Sequence, residues 1–334
     1  MPEIDFVLAW VDGTDKEWRM ERAQYSGEAA GDDREERYRD WDILRYWFRG
    51  VEKYAPWVHK IFFVTCGHLP EWLDTKNPKL EVTEHRSYIP KEFLPTFNSH
   101  TIELNFHRIK GLSEQFVYFN DDFFIINNTR QEDFFVKGLP KDMLALQPVV
   151  ANTDNVVMPY IYLNNSMLLA KHFDKTSNIK KQPGSYFHIG YPLMYFCYNM
   201  LELAFPRFTG FYTVHGPSPF LKSTFETAWR KEGDFLRETC MHKFRDKGDV
   251  SQYFIREWQK LSGNFKPANV RRYCRYFELS DNNSRLYSAL RKKSCKMLCI
   301  NDANTAIDFN KIQRELVTCF NEIFPAKSSY ELNV

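Results

Sequence analysis

The chain contains short runs that are continuously apolar and end in polar turns: "IDFVLAWVDG" (4–13), "KIFFVTCG" (60–67) and "QFVYFN" (115–120), with a weaker fourth, "KLEVTEH" (79–85). A strand that is apolar on both faces must be covered on both faces, which is the condition of a parallel sheet flanked by helices. The segments between the runs carry helical spacing. In "DWDILRYWFRGVEKYAPWV" (40–58), Trp41, Leu44, Trp47, Phe48, Val51 and Tyr54 recur at helical intervals, and Pro56 closes the segment. "SHTIELNFHRIKGL" (99–112) reads as a helix with Ser99 as its N-cap. Residues 14–38 read as a charged, mobile loop, and beyond about residue 130 the order weakens into loops and then helices. The expectation is an α/β, Rossmann-like core with a more helical C-terminal part.

Open parallel sheets bind ligands beyond the carboxyl ends of their strands. Two acidic turns fall there: "WVDG", with Asp12 and Gly13, and "FNDDF", with Asp121 and Asp122. Asn-Asp is common turn chemistry. Two adjacent carboxylates at a buried strand end, however, cost several kcal/mol unless a cation neutralises them. A hard divalent ion such as Mg²⁺ or Mn²⁺ would do so and would bring diphosphate ligands with it. His100, Glu103 and His107 follow at i, i+3, i+7, a solvated face or a stripe turned into a cleft. His215 lies in the rigid turn "VHGPSPF", and Arg245 in "HKFRDKGD".

Sixteen per cent aromatic residues, with 29 Phe and 18 Tyr, indicate a large packed core. The net charge of +2 names no partner and gives no support to nucleic-acid binding. Charge is nevertheless unevenly spread: residues 256–296 hold eleven Lys or Arg against three acids. Read as a helical segment, this stretch suits contact with anionic lipid; it equally suits phosphate-binding residues lining a cleft. Seven cysteines without a CxxC, and a start without a basic-then-apolar leader, fit a reducing cytoplasm.

The segments "IDFVLAWVDGTDKEW", "RDWDILRYWFRGVEKYAPWVHKIFFVTCGHLPEWL", "LPTFNSHTIELNFHRIKGLSEQFVYFNDDFF", "HGPSPFLKSTFETAW" and "CINDANTAIDFNKIQRELVTCFNEIFPAKSSYEL" together resemble, in order, the characteristic regions of the Stealth family. These are the sugar-1-phosphate transferases of bacterial capsular and cell-wall polysaccharides, related to the animal GlcNAc-1-phosphotransferase catalytic subunit. The resemblance implies a glycosyltransferase-A-like nucleotide-sugar core. It divides the chain into a donor-binding half (1–130), a variable acceptor region (131–210) and a part completing the site (211–334).

Position by position, the resemblance places the essential residues at Glu103, Asp122, His215 and Arg245, with metal at Asp122 and Asp121. Asp12 departs from the animal enzymes, where Asn is usual, and is assigned with Gly13, Asn98 and His100 to the nucleotide pocket. Arg39, Arg45 and Arg49 are candidate diphosphate or uridine contacts, since a guanidinium grips phosphate bidentately. The implied reaction moves hexose-1-phosphate from a UDP-sugar to a lipid-linked or soluble glycan hydroxyl, releasing UMP. Its rivals are a metal-dependent glycosyltransferase that releases UDP and a non-catalytic glycan-binding relative.

Overall fold

The computed structural model describes residues 2–26, 40–151, 157–302 and 307–332. Chain order begins with β1 (Ile4–Ala9), α1 (Lys16–Tyr25), α2 (Leu44–Tyr54), β2 (Ile61–Thr65), β3 (Leu80–Glu84), the single turn α3 (His85–Tyr88), α4 (Ser99–Leu104), β4 (Gln115–Asn120) and β5 (Phe123–Ile125). Four short strands follow, β6 (Phe135–Val136), β7 (Leu139–Asp142), β8 (Ala145–Leu146) and β9 (Phe211–Tyr212). Between β8 and β9 run α5 (Met158–His172), α6 (Lys175–Lys181), α7 (Pro183–Tyr186) and α8 (Leu193–Glu202). The chain then forms β10 (Ser218–Leu221), α9 (Lys222–Met241), α10 (Gln252–Leu261), β11 (Lys266–Pro267), β12 (Cys274–Glu278), α11 (Ser284–Lys292), β13 (Met297–Asn301) and α12 (Phe309–Ile323).

The four apolar runs are β1 to β4, and they pair in parallel in the order β4-β1-β2-β3. β10 closes the β4 edge antiparallel, an edge position that tolerates the missing N–H of Pro219. Alternation along the strands divides the core. Phe6, Leu8, Phe63, Val117 and Phe119 face α2, α12 and the second sheet, whereas Val7, Phe62, Val64, Phe116 and Tyr118 face α4, α9 and α10. Gly50 lets α2 sit directly on β5, because a Cβ there would collide with the Ile125 carbonyl oxygen.

A smaller sheet, β12-β13-β5, flanks the carboxyl end of β4. Its register brings Ile300 N–H to the Asp122 carbonyl at 2.9 Å. Residues before 130 and after 211 thus share one sheet and one core.

Several local expectations are corrected. Residues 16–25 are helical, with the Asp15 carboxylate accepting from Trp18 N–H as N-cap; most of the rest of 14–38, including Arg39 beyond it, lies outside the described residues. The helix at 99 stops at Leu104 and is capped by Asn98, not Ser99. Asn105 turns the chain by donating to the Thr101 carbonyl, so His107 leaves the face of His100 and Glu103 and lies against Phe225 and Trp229.

The basic stretch 256–296 is not one helical surface. Arg256 is buried against Asp142, Lys260 is buried against Glu257, and Arg291 pairs with Glu322. Among the described residues no helix is long and apolar enough to cross a membrane. All seven cysteines are free, as their spacing implies.

Candidate active site

A cleft of about 1150 Å³ opens at the carboxyl end of the parallel sheet. The pairing of Ala9 with Asn120 sets Trp10 and Asp121 side by side on its floor. Glu103 enters from α4, Asp122 from the end of β4, His215 from the turn before β10, and Arg245 from the loop after α9; all four line this one cleft. His100, Asp121, Arg271, Arg275, Tyr253 and Asp302 line it too.

The floor is acidic and tightly held. Asp122 Oδ2 accepts from the Cys299 thiol at 3.1 Å and lies 3.6 Å from His215 Nε2. Its Oδ1 is buried without a hydrogen-bond partner. Burial, reinforced by Asp122, keeps the Cys299 thiol protonated far above its ordinary range. Asp121 is solvent-exposed, yet desolvation by the cleft around it and then the charge of Asp122 push its carboxyl up to about 7. One strand end thus carries two acids that pair with no Lys or Arg among the described residues.

The opposite wall carries the partners. His215 Nδ1 meets the Tyr253 hydroxyl at 3.2 Å, and the ring stands edge-on to Phe123. Burial pushes the Tyr253 phenol far up, so it stays neutral. Glu103 is buried and accepts from the Tyr118 hydroxyl at 3.1 Å. Arg245 donates to Ser99 Oγ through Nε and Nη2 at 3.2 and 2.7 Å, which aims the guanidinium along α4.

Behind it, the buried Asp249 carboxylate receives His100 at 3.0 Å, His242 at 2.6 Å and the Asn98 amide at 2.8 Å. Burial works to raise the Asp249 carboxyl, but hydrogen bonds from the two histidines outweigh it and hold the acid below its ordinary value. Asn98 therefore shapes the wall from behind and is not a lining residue.

Four other candidates also stand apart from the lining. Asp12 turns its carboxylate back onto Thr14 and donates its N–H to His68 Nε2 at 2.7 Å; Gly13 continues that turn. Arg45 pairs with Asp42 and lies over Trp72. Arg49 is a correction: its Nε and Nη2 donate to Glu331 at 2.7 and 2.6 Å and its Nη1 to the Phe324 carbonyl, so a buried ion pair consumes the donors assigned to phosphate.

Arg271 and Arg275 in the cleft were legible only as part of a basic stretch. Their alternation with Tyr273, Cys274 and Tyr276 on and beside β12 was the available signal for a lining strand.

The acids suit a hard divalent cation, and Asp122 Oδ1 is buried without a hydrogen-bond partner. Asp122, His215 and Cys299 each offer an atom within 4.8 Å of the others, but the Cys299 thiol, protonated and donating to Asp122, is not a ligand for such an ion. Asp121 is not one of those three.

The chain matches two family descriptions, "Stealth protein CR1, conserved region 1" over residues 2–29 and "Stealth protein CR2, conserved region 2" over 37–143. It is 39% identical over 334 residues to a capsular polysaccharide phosphotransferase WcwK of Streptococcus pneumoniae, covering 99% of this chain and 98% of the relative. It is 37% identical to the exopolysaccharide phosphotransferase cps2G of Lactiplantibacillus plantarum, covering 98% of this chain and 96% of that one. The chain belongs to the Stealth family. The Stealth regions matched, 2–29 and 37–143, supply β1, β4 and the Asp121–Asp122 turn of the cleft. Among solved structures, galactosyltransferase LgtC in complex with donor and acceptor sugar analogs aligns at 11% identity and a TM-score of 0.39, covering 97% of this chain and 96% of that one.

Proposed function

We propose that this Stealth chain transfers hexose-1-phosphate from a UDP-sugar to a glycan hydroxyl in the synthesis of a bacterial cell-surface polysaccharide. One observation carries the reading: Glu103, Asp122, His215 and Arg245, spread from residue 103 to residue 245, converge on one cleft. Its volume exceeds what a single small ligand needs and leaves room for donor and acceptor together.

In the step envisaged, the acceptor oxygen bonds to the β-phosphorus while the bond from that phosphorus to the bridging oxygen breaks, so that oxygen departs with the α-phosphate. UMP leaves, the anomeric bond stays intact, and the hydroxyl proton passes to His215. Catalysis of this kind rests on positioning and charge neutralisation. The guanidinium groups lining the cleft (Arg245, Arg271, Arg275) suit a diphosphate, and Arg245 would face the transferring phosphoryl. His215 is our choice of base, since Tyr253 holds Nδ1 while Nε2, 3.6 Å from Asp122 and beyond hydrogen-bond distance, is left to take a proton. Glu103, whose Oε1 is already engaged by Tyr118, orients.

Mg²⁺ or Mn²⁺ held by Asp122, with Asp121 close by, would neutralise diphosphate charge. A lipid-linked acceptor, and work at the inner face of the cytoplasmic membrane, belong to the same reading. The deciding experiment identifies the nucleotide released from UDP-sugar by the purified protein with a glycan acceptor. UMP is expected. UDP would mean attack at the anomeric carbon, and no turnover with any donor would favour a binding relative.

A further inference from the structure

Helix α8 is built inside out. Its buried positions are Tyr195, Asn199 and Glu202, whereas Leu193, Met194, Cys197, Met200 and Leu201 share the opposite, exposed face at helical spacing. Leu193 is 77% and Leu201 68% exposed. An ordinary surface helix does the reverse.

The inward polar groups are all satisfied. Asn199 donates to the Leu144 and Tyr186 carbonyls and accepts from Leu146 N–H; Glu202 receives Lys175 Nζ at 3.1 Å. The helix is therefore firmly seated, and its apolar face is offered outward by design of the seat. The patch continues through Leu203 and Phe205, with Ile189 preceding it at 98% exposure.

We propose that this face docks into the interfacial region of an anionic lipid bilayer. Charge selects that occupant. From residue 182 to 206 the only acid or permanent base is Glu202, which is buried and paired, while exposed Lys180, Lys181 and Arg207 bound the stretch on either side. Apolar contact bounded by cations is what an interfacial helix presents to acidic headgroups. In a two-fold contact between copies, the same cations would recur on both sides without counter-charge.

Position adds a second argument. On its inner side, Tyr195 accepts from Arg271 at 2.9 Å and stacks on Tyr212 at 4.3 Å between centroids, and both of those residues line the cleft. The lipid face thus lies about one helix diameter, roughly 10 Å, from the cleft wall. A bilayer on α8 would bring a lipid-borne acceptor to the cleft mouth; that consequence rests on the proposed reaction, whereas the docking does not.

The test is flotation of the whole chain with vesicles of phosphatidylcholine mixed with phosphatidylglycerol, beside phosphatidylcholine alone. Retention on the mixed vesicles is expected, weakening as salt rises. L193Q/L201Q should lower partitioning on the order of tenfold or more. K180Q/K181Q should lower it about fivefold per cation, and only on the anionic vesicles. A solvent-sensitive fluorophore on Cys197, the exposed one of the seven cysteines, should shift to the blue on binding. An unchanged unfolding midpoint establishes that the variants are folded. Absence of flotation by the parent chain overturns the proposal, as does flotation that L193Q/L201Q leaves intact. Concentration-dependent self-association that the same double variant abolishes would give the face to a second copy instead.

Discussion

Two regions of this molecule hold carboxylates, and they treat them oppositely. Beneath the cleft, Asp142 receives Arg256 through two hydrogen bonds at 2.6 and 3.0 Å, and far behind it Glu331 receives Arg49 in the same manner. There the chain supplies the counter-charge. Burial works to raise Asp142, but Arg256 and Lys260 outweigh it and hold the acid low. On the cleft floor Asp121 and Asp122 have no such cation among the described residues, and Asp121 is pushed up to about 7. An acid that the fold pairs with its own cation is part of the scaffold, whereas one it leaves without counter-charge awaits a ligand.

The largest effect should come from Asp122. Asp122→Asn is expected to remove nearly all turnover while leaving the thermal midpoint unchanged or higher, because it relieves a repulsion. Excess chelator should reproduce the loss in the parent protein. Full activity in chelator, or a collapsed midpoint in the variant, would break the comparison at its centre.

Next is His215→Ala, expected to lower kcat by about 10²–10⁴-fold with donor affinity little changed. Single-turnover kinetics with donor titration separates the two quantities. Donor affinity lost in parallel would move His215 from proton acceptor to phosphate contact. Below that stands Arg256→Met, which leaves Asp142 buried and unpaired. It should cost about 3–5 kcal/mol in denaturant unfolding. A cost near zero would mean that Asp142 is not the scaffold acid described above.

The smallest effect tests whether the interior beyond the cleft responds to protons at all. Burial drives His85 and His107 each down to about 3, so both are neutral when folded but protonate near 6.5 when unfolded. Unfolding then takes up protons. Their contribution is intact above about pH 6.5 and is lost as pH falls toward 3, at up to about 1.4 kcal/mol per pH unit for each residue. Stability measured at descending pH should therefore fall less steeply in His85→Gln than in the parent chain. Equal slopes would show that His85 protonates in place.

The parallel core was legible because its strands are apolar on both faces, a pattern few other environments produce. The site was legible at positions where residue type is tied to chemistry: Glu103, Asp122, His215 and Arg245 all reach the cleft. Arginine is where the reading failed. A guanidinium on an amphipathic segment looks the same in sequence whether it lines a cleft, as Arg271 and Arg275 do, or pairs with a buried Glu more than 250 residues away, as Arg49 does. Helix α10 misled for the same reason. Its Arg256, Glu257, Gln259 and Lys260 are all buried, and only the distant Asp142, Thr213, Pro219 and Met143 make that tolerable. The helix at 99–104 ended early because Asn105 hydrogen-bonds backward, a choice that periodicity does not register.

The Arg49–Glu331 pair also sets an order in time. The two residues are 282 positions apart, so a ribosome working at 5–20 residues per second makes Glu331 about 15–55 s after Arg49. During that interval the segment that receives Arg49, Phe324 to Glu331, does not yet exist, and the guanidinium keeps its water. The last cover of α2 is therefore also the last part of the chain to be made, and the N-terminal half stays unfinished until the acid that completes it has been synthesised.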